Sequence, residues 1–242
     1  MKLFLKFGSA VVVCVTLAFY FNGCVKIDNP AAPPVDIRST VKFINLANNG
    51  SQMNVKVDGN SVASVSFTNA SSYIDVPSGG RNFVFTFGPK VDAVSQVVAA
   101  YYKISYFAIQ QAGDTGVTYA LYYERNTYSG VVTFIPQDIL VRFINLSSDT
   151  AGTIKSGVSF HLTGAQQDTS TQDTVTAALA YLKSSTYYQA PLSKAPKYSI
   201  IGANNDILVG ATAVSLTEGR FTVVLYGSKT AGTLQSIIFK ED

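Results

Sequence analysis

The chain has 242 residues, 47% hydrophobic and 14% charged, which is enough apolar material for one large or two ordinary cores and excludes a disordered polymer. Its formal net charge of +3 includes Lys2 and Lys6 of an N-terminal leader and falls to +1 without them. With no basic stripe, the chain lacks the cations from which nucleic-acid binding draws its affinity.

The leader reads Met1-Lys2-Leu3-Phe4-Leu5-Lys6, then an apolar block from Phe7 to Phe21, then Asn22-Gly23-Cys24. Cations followed by an apolar run of about 15 residues have the form of a secretory signal, because the charges stay behind while the apolar helix enters the translocon. A glycine directly before a cysteine resembles the lipobox of bacterial lipoproteins, although Phe21 and Asn22 are bulkier than is usual there. The resemblance implies that residues 1–23 are removed, that the Cys24 thiol is diacylated, and that Cys24 becomes the first residue of the mature chain. The other reading is an uncleaved anchor, against which stands the length of about 20 apolar residues that a span needs. Cys14 is the only other cysteine, so a processed chain keeps one thiol and forms no internal disulfide. Residues 24–38 then form a tether: Pro30, Pro33 and Pro34 lack backbone donors, and no apolar period runs through the segment.

Val41-Lys42-Phe43-Ile44-Asn45-Leu46 returns as Val141-Arg142-Phe143-Ile144-Asn145-Leu146, with one cation exchanged for another. Each is read as the first strand of a repeated unit, which places one β-sandwich over residues 39–136 and a second over 139–242. In the first, Met53, Val55 and Val57 alternate with polar residues, and Asp58-Gly59-Asn60 supplies a tight hairpin turn. Val65-Ser66-Phe67, Tyr73 to Val76, the stripe Phe83, Phe85, Phe87, and the runs Tyr101 to Ile109, Val117 to Glu124 and Val131 to Ile135 complete it. Val91 to Ala100 is open between a helical turn and an irregular crossing. About seven to eight short strands with turn signals every 8 to 12 residues are what an antiparallel, Ig-like sandwich requires.

In the second unit, Val158 to Gly164 takes the place of Met53 to Gly59, and Tyr187 to Pro191 that of Tyr73 to Pro77. Gly219 to Thr230 overlays Gly116 to Thr127 without a gap, with Tyr226 on Tyr123, and the chain closes on Ile237-Ile238-Phe239 as the first unit closes on Phe134-Ile135. Thr174 to Ala180, inside the longer segment from Gln166 to Leu182, forms either a short helix or one more strand.

The Val-Lys/Arg-Phe-Ile-Asn-Leu strand, the Val55-Lys56-Val57-Asp58-Gly59 hairpin and the Tyr73 to Pro77-Ser78-Gly79 turn resemble tandem secreted bacterial modules grouped as domain of unknown function 4397. That resemblance implies an extracytoplasmic β-sandwich carried on a lipoprotein, and it brings no catalytic residues with it.

The single histidine, His161, sits between Phe160 and Leu162, and no Gly-x-Ser-x-Gly elbow accompanies it. One His and one acylated Cys cannot make a zinc site. Asp168, Asp173 and Asn204-Asn205-Asp206 are loop oxygens for calcium in principle, but they fit no EF-hand spacing, and turn chemistry explains them more simply. Asp75 and Glu124 are the carboxylates from which a glycosidase pair would be drawn. No cofactor is expected.

The tyrosines are the binding candidates. In the adjacent pairs Tyr101-Tyr102, Tyr122-Tyr123 and Tyr187-Tyr188, neighbours point to opposite faces of a strand, so one of each pair faces out or into a partner. Tyr102, Tyr122 and Tyr188 are the candidate binding surface, and the other reading is plain sheet filler, since tyrosine favours strands. The expectation is an exported, lipid-anchored protein of the cell envelope, outer membrane in preference. It acts without catalysis as a binding, adhesion or structural module, with a glycan or an envelope protein as partner and no nucleic acid. A carbohydrate-binding accessory of a glycan uptake system is the alternative, and an enzyme the third reading.

Overall fold

The computed structural model describes residues 36–47, 52–110, 116–125, 138–150, 158–161, 172–176, 179–192, 197–202, 207–214 and 217–241. The leader, Cys24, the prolines of the tether, Val131 to Ile135, Asp168 and Asn204 to Asp206 lie outside the described residues. All strands belong to one compact unit, Ile37–Asp242. Among the described residues, no helix is long and apolar enough to cross a membrane.

The fold is all β. The first copy comprises β1 (Arg38–Ala47), β2 (Met53–Val57), β3 (Asn60–Val65), β4 (Ile74–Pro77), β5 (Gly79–Phe87), β6 (Lys90–Val98), β7 (Tyr102–Gln110) and β8 (Thr118–Arg125). The second comprises β9 (Asp138–Asn145), β10 (Val158–His161), β11 (Gln172–Thr176), β12 (Lys183–Ser184), β13 (Tyr188–Pro191), β14 (Lys197–Ile201), β15 (Ile207–Ala213), β16 (Gly219–Tyr226) and β17 (Gln235–Lys240). The segment left open after Val91 is thus the regular strand β6, and Gln172–Thr176 is the additional strand rather than a helix.

Each copy is built from two sheets in the same order: β4-β1-β7-β8 with β3-β2-β5-β6, and β12-β9-β16-β17 with β11-β10-β14-β15, where β13 also pairs with β9. The sandwich expectation holds, with one difference. β1 pairs with β7, and β9 with β16, in parallel. The chain leaves β1 for the opposite sheet and returns to its other side only at β7, a crossover that an antiparallel hairpin could not supply.

These parallel registers also correct the overlay of the copies. Val41 faces Ile104 on β7 and Val141 faces Phe221 on β16, so β16 is the counterpart of β7. β17 is then the counterpart of β8, with Phe239 on Tyr122 and Glu241 on Glu124. The gapless likeness of Gly219–Thr230 to Gly116–Thr127 had matched β16 to the neighbouring strand. Strands of one sheet share an alternation of apolar residues, and only pairing register tells them apart.

Alternation along β1 explains why its motif is repeated. Val41, Phe43 and Ala47 enter the first core with Val55, Phe83, Phe85 and Tyr106, whereas Ile44 and Leu46 point the other way. There they join Phe107, Tyr122, Ile144, Leu146, Val224 and Phe239, contributed by both copies. The sheets led by β1 and β9 therefore pack on each other through their outer faces, so β1 is buried on both sides, as its near-continuous apolar sequence requires. Asn45 interrupts that run for a reason: buried, it donates to Val65 O at 3.0 Å and accepts from Ala47 N at 3.1 Å. Asn145 does the same with Leu179 O at 2.9 Å and Ser147 N at 3.0 Å.

The expected stripe of β5 lies in the first core. Phe83 and Phe85 pack at 5.3 and 5.1 Å from Tyr106, and Phe85 stacks on Tyr119 at 4.5 Å. Asp58 and Gly59 take the expected tight turn, with φ of 50° and 86°.

Candidate functional site

The second residue of the repeated motif, Lys42 or Arg142, points with Ile44 and Ile144 into the seam between the copies, where a lone cation would be costly. Each is paired across it. Lys42 Nζ lies 3.7 Å from Glu241 Oε2 and donates to Lys240 O at 2.6 Å. Arg142 Nη2 lies 2.6 Å from Glu124 Oε1 and 3.0 Å from Glu241 Oε1. The equivalent tyrosines Tyr73 and Tyr187 complete the arrangement: Tyr73 donates to Glu241 at 2.7 Å and Tyr187 to Glu124 at 2.5 Å. Their rings lie under the cations of their own copies, 4.3 Å from Lys42 Nζ and 5.4 Å from Arg142 Cζ. Thr222 also donates to Glu241.

Burial opposes every charge in this cluster, and the partners outweigh it. Burial pushes Glu241 up, but Arg142, Thr222, Tyr73 and Lys42 together hold its carboxyl below the usual value. Burial likewise disfavours the Arg142 cation, which Tyr187, Glu124 and Glu241 restore. Tyr73 and Tyr187 are held protonated by burial and by the carboxylates they bind, with Arg142 opposing at Tyr187. Glu124 Oε2 has no hydrogen-bond partner among the described residues and lies 3.9 Å from Arg220 Nη1, but the other contacts fasten the copies together.

That arrangement commits Glu124 to the seam, and Asp75 is not placed to pair with it. Asp75, Thr40, Lys103 and Glu124 occupy one row across β4, β1, β7 and β8. Three strand spacings put the two carboxylates about 14 Å apart, beyond the ~5–9.5 Å over which such pairs work. His161 and Asp173 lie in strand backbone, on β10 and β11. Among the described residues no group of three or more His, Cys, Asp or Glu could hold a metal ion.

The three tyrosines singled out from sequence do not form one surface. Tyr122 is buried in the seam against Phe107, at 5.6 Å between ring centroids, so it is not open to an external ligand. The strand geometry was right, but the face opposite the first core is covered by the second copy. Burial pushes its phenol up despite Arg142 nearby, and among the described residues its hydroxyl has no hydrogen-bond partner. Tyr188 packs against the second core and Tyr102 against the first. Among the described residues the exposed aromatics are their neighbours Tyr101 and Tyr123, 63% and 39% accessible.

Tyr102 and Tyr123 do meet, edge to face at 5.7 Å. From there Tyr123 reaches β6: its hydroxyl donates to Val97 O at 3.2 Å and stands 3.5 Å from Gln96 Nε2. Gln96 and Val97 belong to an open depression of about 410 Å³, lined also by Asp58, Gly80, Arg81, Asn82 and Ser95. Arg81 is committed there: it donates to Pro77 O, Ser78 O and Asp58 Oδ2 at 2.9, 2.6 and 3.1 Å. Asn82 N and Arg81 together hold the Asp58 carboxyl below its usual value. The depression therefore offers the Asn82 and Gln96 amides and the Ser95 hydroxyl beside the Asp58–Arg81 pair, and Tyr123 reaches its rim at Gln96 and Val97. Sequence reasoning found Tyr102 but not Tyr123, whose position beside β6 depends on how the two sheet edges meet.

The chain matches none of the protein-family models against which it was compared, and no curated protein sequence matches it.

Proposed function

We propose that this chain is a non-catalytic lipoprotein of the bacterial cell envelope, anchored through acylated Cys24, whose fused pair of β-sandwiches acts as a rigid binding, adhesion or structural module. The observation that carries this reading is the seam: Lys42, Arg142, Glu124, Glu241, Tyr73 and Tyr187 are consumed in joining the copies. That employs these groups in rigidity, and contact with a partner falls to side chains outside the seam. The signal-like leader, the Gly23-Cys24 pair and the resemblance to domain of unknown function 4397 supply the address.

Fractionation and protease treatment of intact cells test it. The wild-type chain fractionates with membranes and incorporates labelled lipid, and Cys24→Ala abolishes the labelling and mislocalises the protein. Labelling that survives Cys24→Ala sinks the anchor. Cleavage of the sandwiches on intact cells puts them at the surface and favours adhesion or extracellular glycan binding; protection until lysis puts them in the periplasm and favours an envelope protein partner.

The depression beside Tyr102 and Tyr123 supports the second reading, a carbohydrate-binding accessory, because sugars are recognised by neutral hydrogen-bonding groups together with an aromatic face. A screen of the chain against polysaccharides then finds a ligand that raises its melting temperature, and the Tyr123→Ala variant loses the shift. A shift that persists in Tyr123→Ala removes the depression from consideration.

A further inference from the structure

The outer strands of the four sheets are protected in different ways, and β6 is the exception. Register breaks interrupt the pairings of β3, β11 and β15 with their neighbours. β4 and β13 are four residues long and end in Pro77 and Pro191, and β12 has two residues. β8 and β17 turn buried residues, Tyr122 and Phe239, into the seam. These are the ordinary means by which proteins blunt a sheet edge. β6 is the least protected: its charges, Lys90 and Asp92, lie at one end and pair with each other at 3.7 Å, it pairs with β5 over nine residues without a break, and Val91 and Val97 on its outer face are 60% and 64% accessible.

The β5–β6 hairpin fixes which backbone groups that edge presents. Phe87 and Lys90 flank the two-residue turn Gly88-Pro89, and Gly88 has a φ of 55°. The residues flanking such a turn are a hydrogen-bonded pair, so the N–H and C=O groups of Val91, Ala93, Ser95 and Val97 face away from β5. Tyr123 caps one of them, Val97 O, at 3.2 Å. Gln96 Nε2 reaches the same oxygen at 3.4 Å, the longer of the two contacts, so a carbonyl with two acceptor positions takes the N–H of a further strand by releasing Gln96.

From this edge we infer that β6 pairs with β6 of a second copy of this chain, antiparallel about Val94. The sequence of the strand is complementary to itself in that register. Val91 stands opposite Val97 of the second copy, Ala93 opposite Ser95, Asp92 opposite Gln96 and Lys90 opposite Val98, so no charge meets a like charge. Both accessible valines are covered, and the outward groups of Val91, Ala93, Ser95 and Val97 form the hydrogen-bonded pairs of the new ladder. A shift of two residues either way leaves both accessible valines on each strand without a valine partner. Pairing joins two four-stranded sheets into one of eight.

Disulfide cross-linking of the full chain tests the register. Residues 91 and 97 of one chain are six positions apart, about 20 Å along a strand, so they cannot bond to each other, and two copies of either residue are equally far apart in the proposed pairing. The V91C/V97C variant, oxidised in detergent micelles, therefore forms a reducible dimer, whereas V91C, V97C and the parent chain, which retains its own cysteines, do not. Sedimentation equilibrium in the same detergent gives a mass that rises with concentration for the parent. A93K, which places a cation on the accessible outer face, loses the dimer and keeps the parent's melting temperature. A parent that stays monomeric at every concentration without cross-linking, single variants that cross-link as well as the double, or a dimer that survives A93K would overturn the inference.

Discussion

Arg142 Nη2 lies 2.6 Å from Glu124 Oε1, and the same position of the first copy, Lys42, lies 3.7 Å from the equivalent carboxylate, Glu241 Oε2. The two contacts are reciprocal, as across the interface of a symmetric dimer, although both copies belong to one chain. The symmetry is imperfect: Arg142 also reaches Glu241 at 3.0 Å, and the planar guanidinium has the donors to serve both carboxylates.

Glu241→Ala leaves Arg142 with one carboxylate and Lys42 without that ion pair, in surroundings that cannot hydrate them. Breaking a buried pair from one side costs about 3–5 kcal/mol, and a urea midpoint converted with the measured m-value should show a loss of that order. Glu241→Gln, which keeps the shape and hydrogen-bonding capacity, should lose less. A loss under about 1 kcal/mol for the alanine variant would mean that the seam is hydrated in solution.

Tyr73→Phe and Tyr187→Phe each remove one hydroxyl donated to a buried carboxylate. A hydrogen bond to a charged group contributes about 1.5–3 kcal/mol, so each variant should be destabilised by that amount. The acceptors are different glutamates, and the double variant should lose nearly the sum. A cycle of both singles and the double measures this, and a large departure from additivity would show that the cluster acts as one unit.

Acid should loosen the seam at Glu241 and the turn that Asp149 holds within the second copy. Burial raises the carboxyls of both Glu241 and Asp149, but stronger contacts leave both below their ordinary values; for Asp149 these are Ser228, the backbone amides of Thr230 and Lys229, and Ser147. A group depressed in the folded state stabilises it fully above its unfolded pKa and loses that contribution as pH falls through the folded one. Thermal stability should therefore hold from neutral pH to about 5 and decline below about 4.5, with a shallower decline in Glu241→Gln. An unchanged acid limb in that variant would assign the effect to other carboxylates.

Asn45→Ala and Asn145→Ala test the polar residue inside the repeated motif. Each deletion strands a buried backbone carbonyl, Val65 O or Leu179 O, and a buried amide, that of Ala47 or Ser147. Each should cost about 1–3 kcal/mol in chemical denaturation. Leucine at either site, although apolar, should not rescue stability, because the stranded groups remain.

Much of the fold was legible because alternation is a local signal. Met53, Val55 and Val57, the three phenylalanines of β5 and the two copies of the six-residue motif each gave away their strands. β6 was harder to read: Val91 and Val97 face out while Val94 and Val98 face in, so neither face is cleanly polar. The seam was out of reach, because the burial of Lys42, Arg142 and Tyr122 is decided by residues far along the chain. The equivalence of Glu124 and Glu241 was hidden by a plausible overlay on the wrong strand, which only the parallel registers of β7 and β16 corrected.

The order in which the chain is made gives the seam a temporal side. Synthesis delivers β1 to β8 first, with Ile44, Leu46, Phe107 and Tyr122 facing nothing. Their cover arrives with β9, β16 and β17, and the carboxylate that binds Lys42, Arg142 and Tyr73 sits at position 241. A polypeptide emerging residue by residue thus carries an uncovered greasy surface for most of its delivery and seals it only with the closing strand. A chain stopped before β17 keeps that surface bare, and a factor that shields the first half until β17 is made would act where the molecule is most vulnerable.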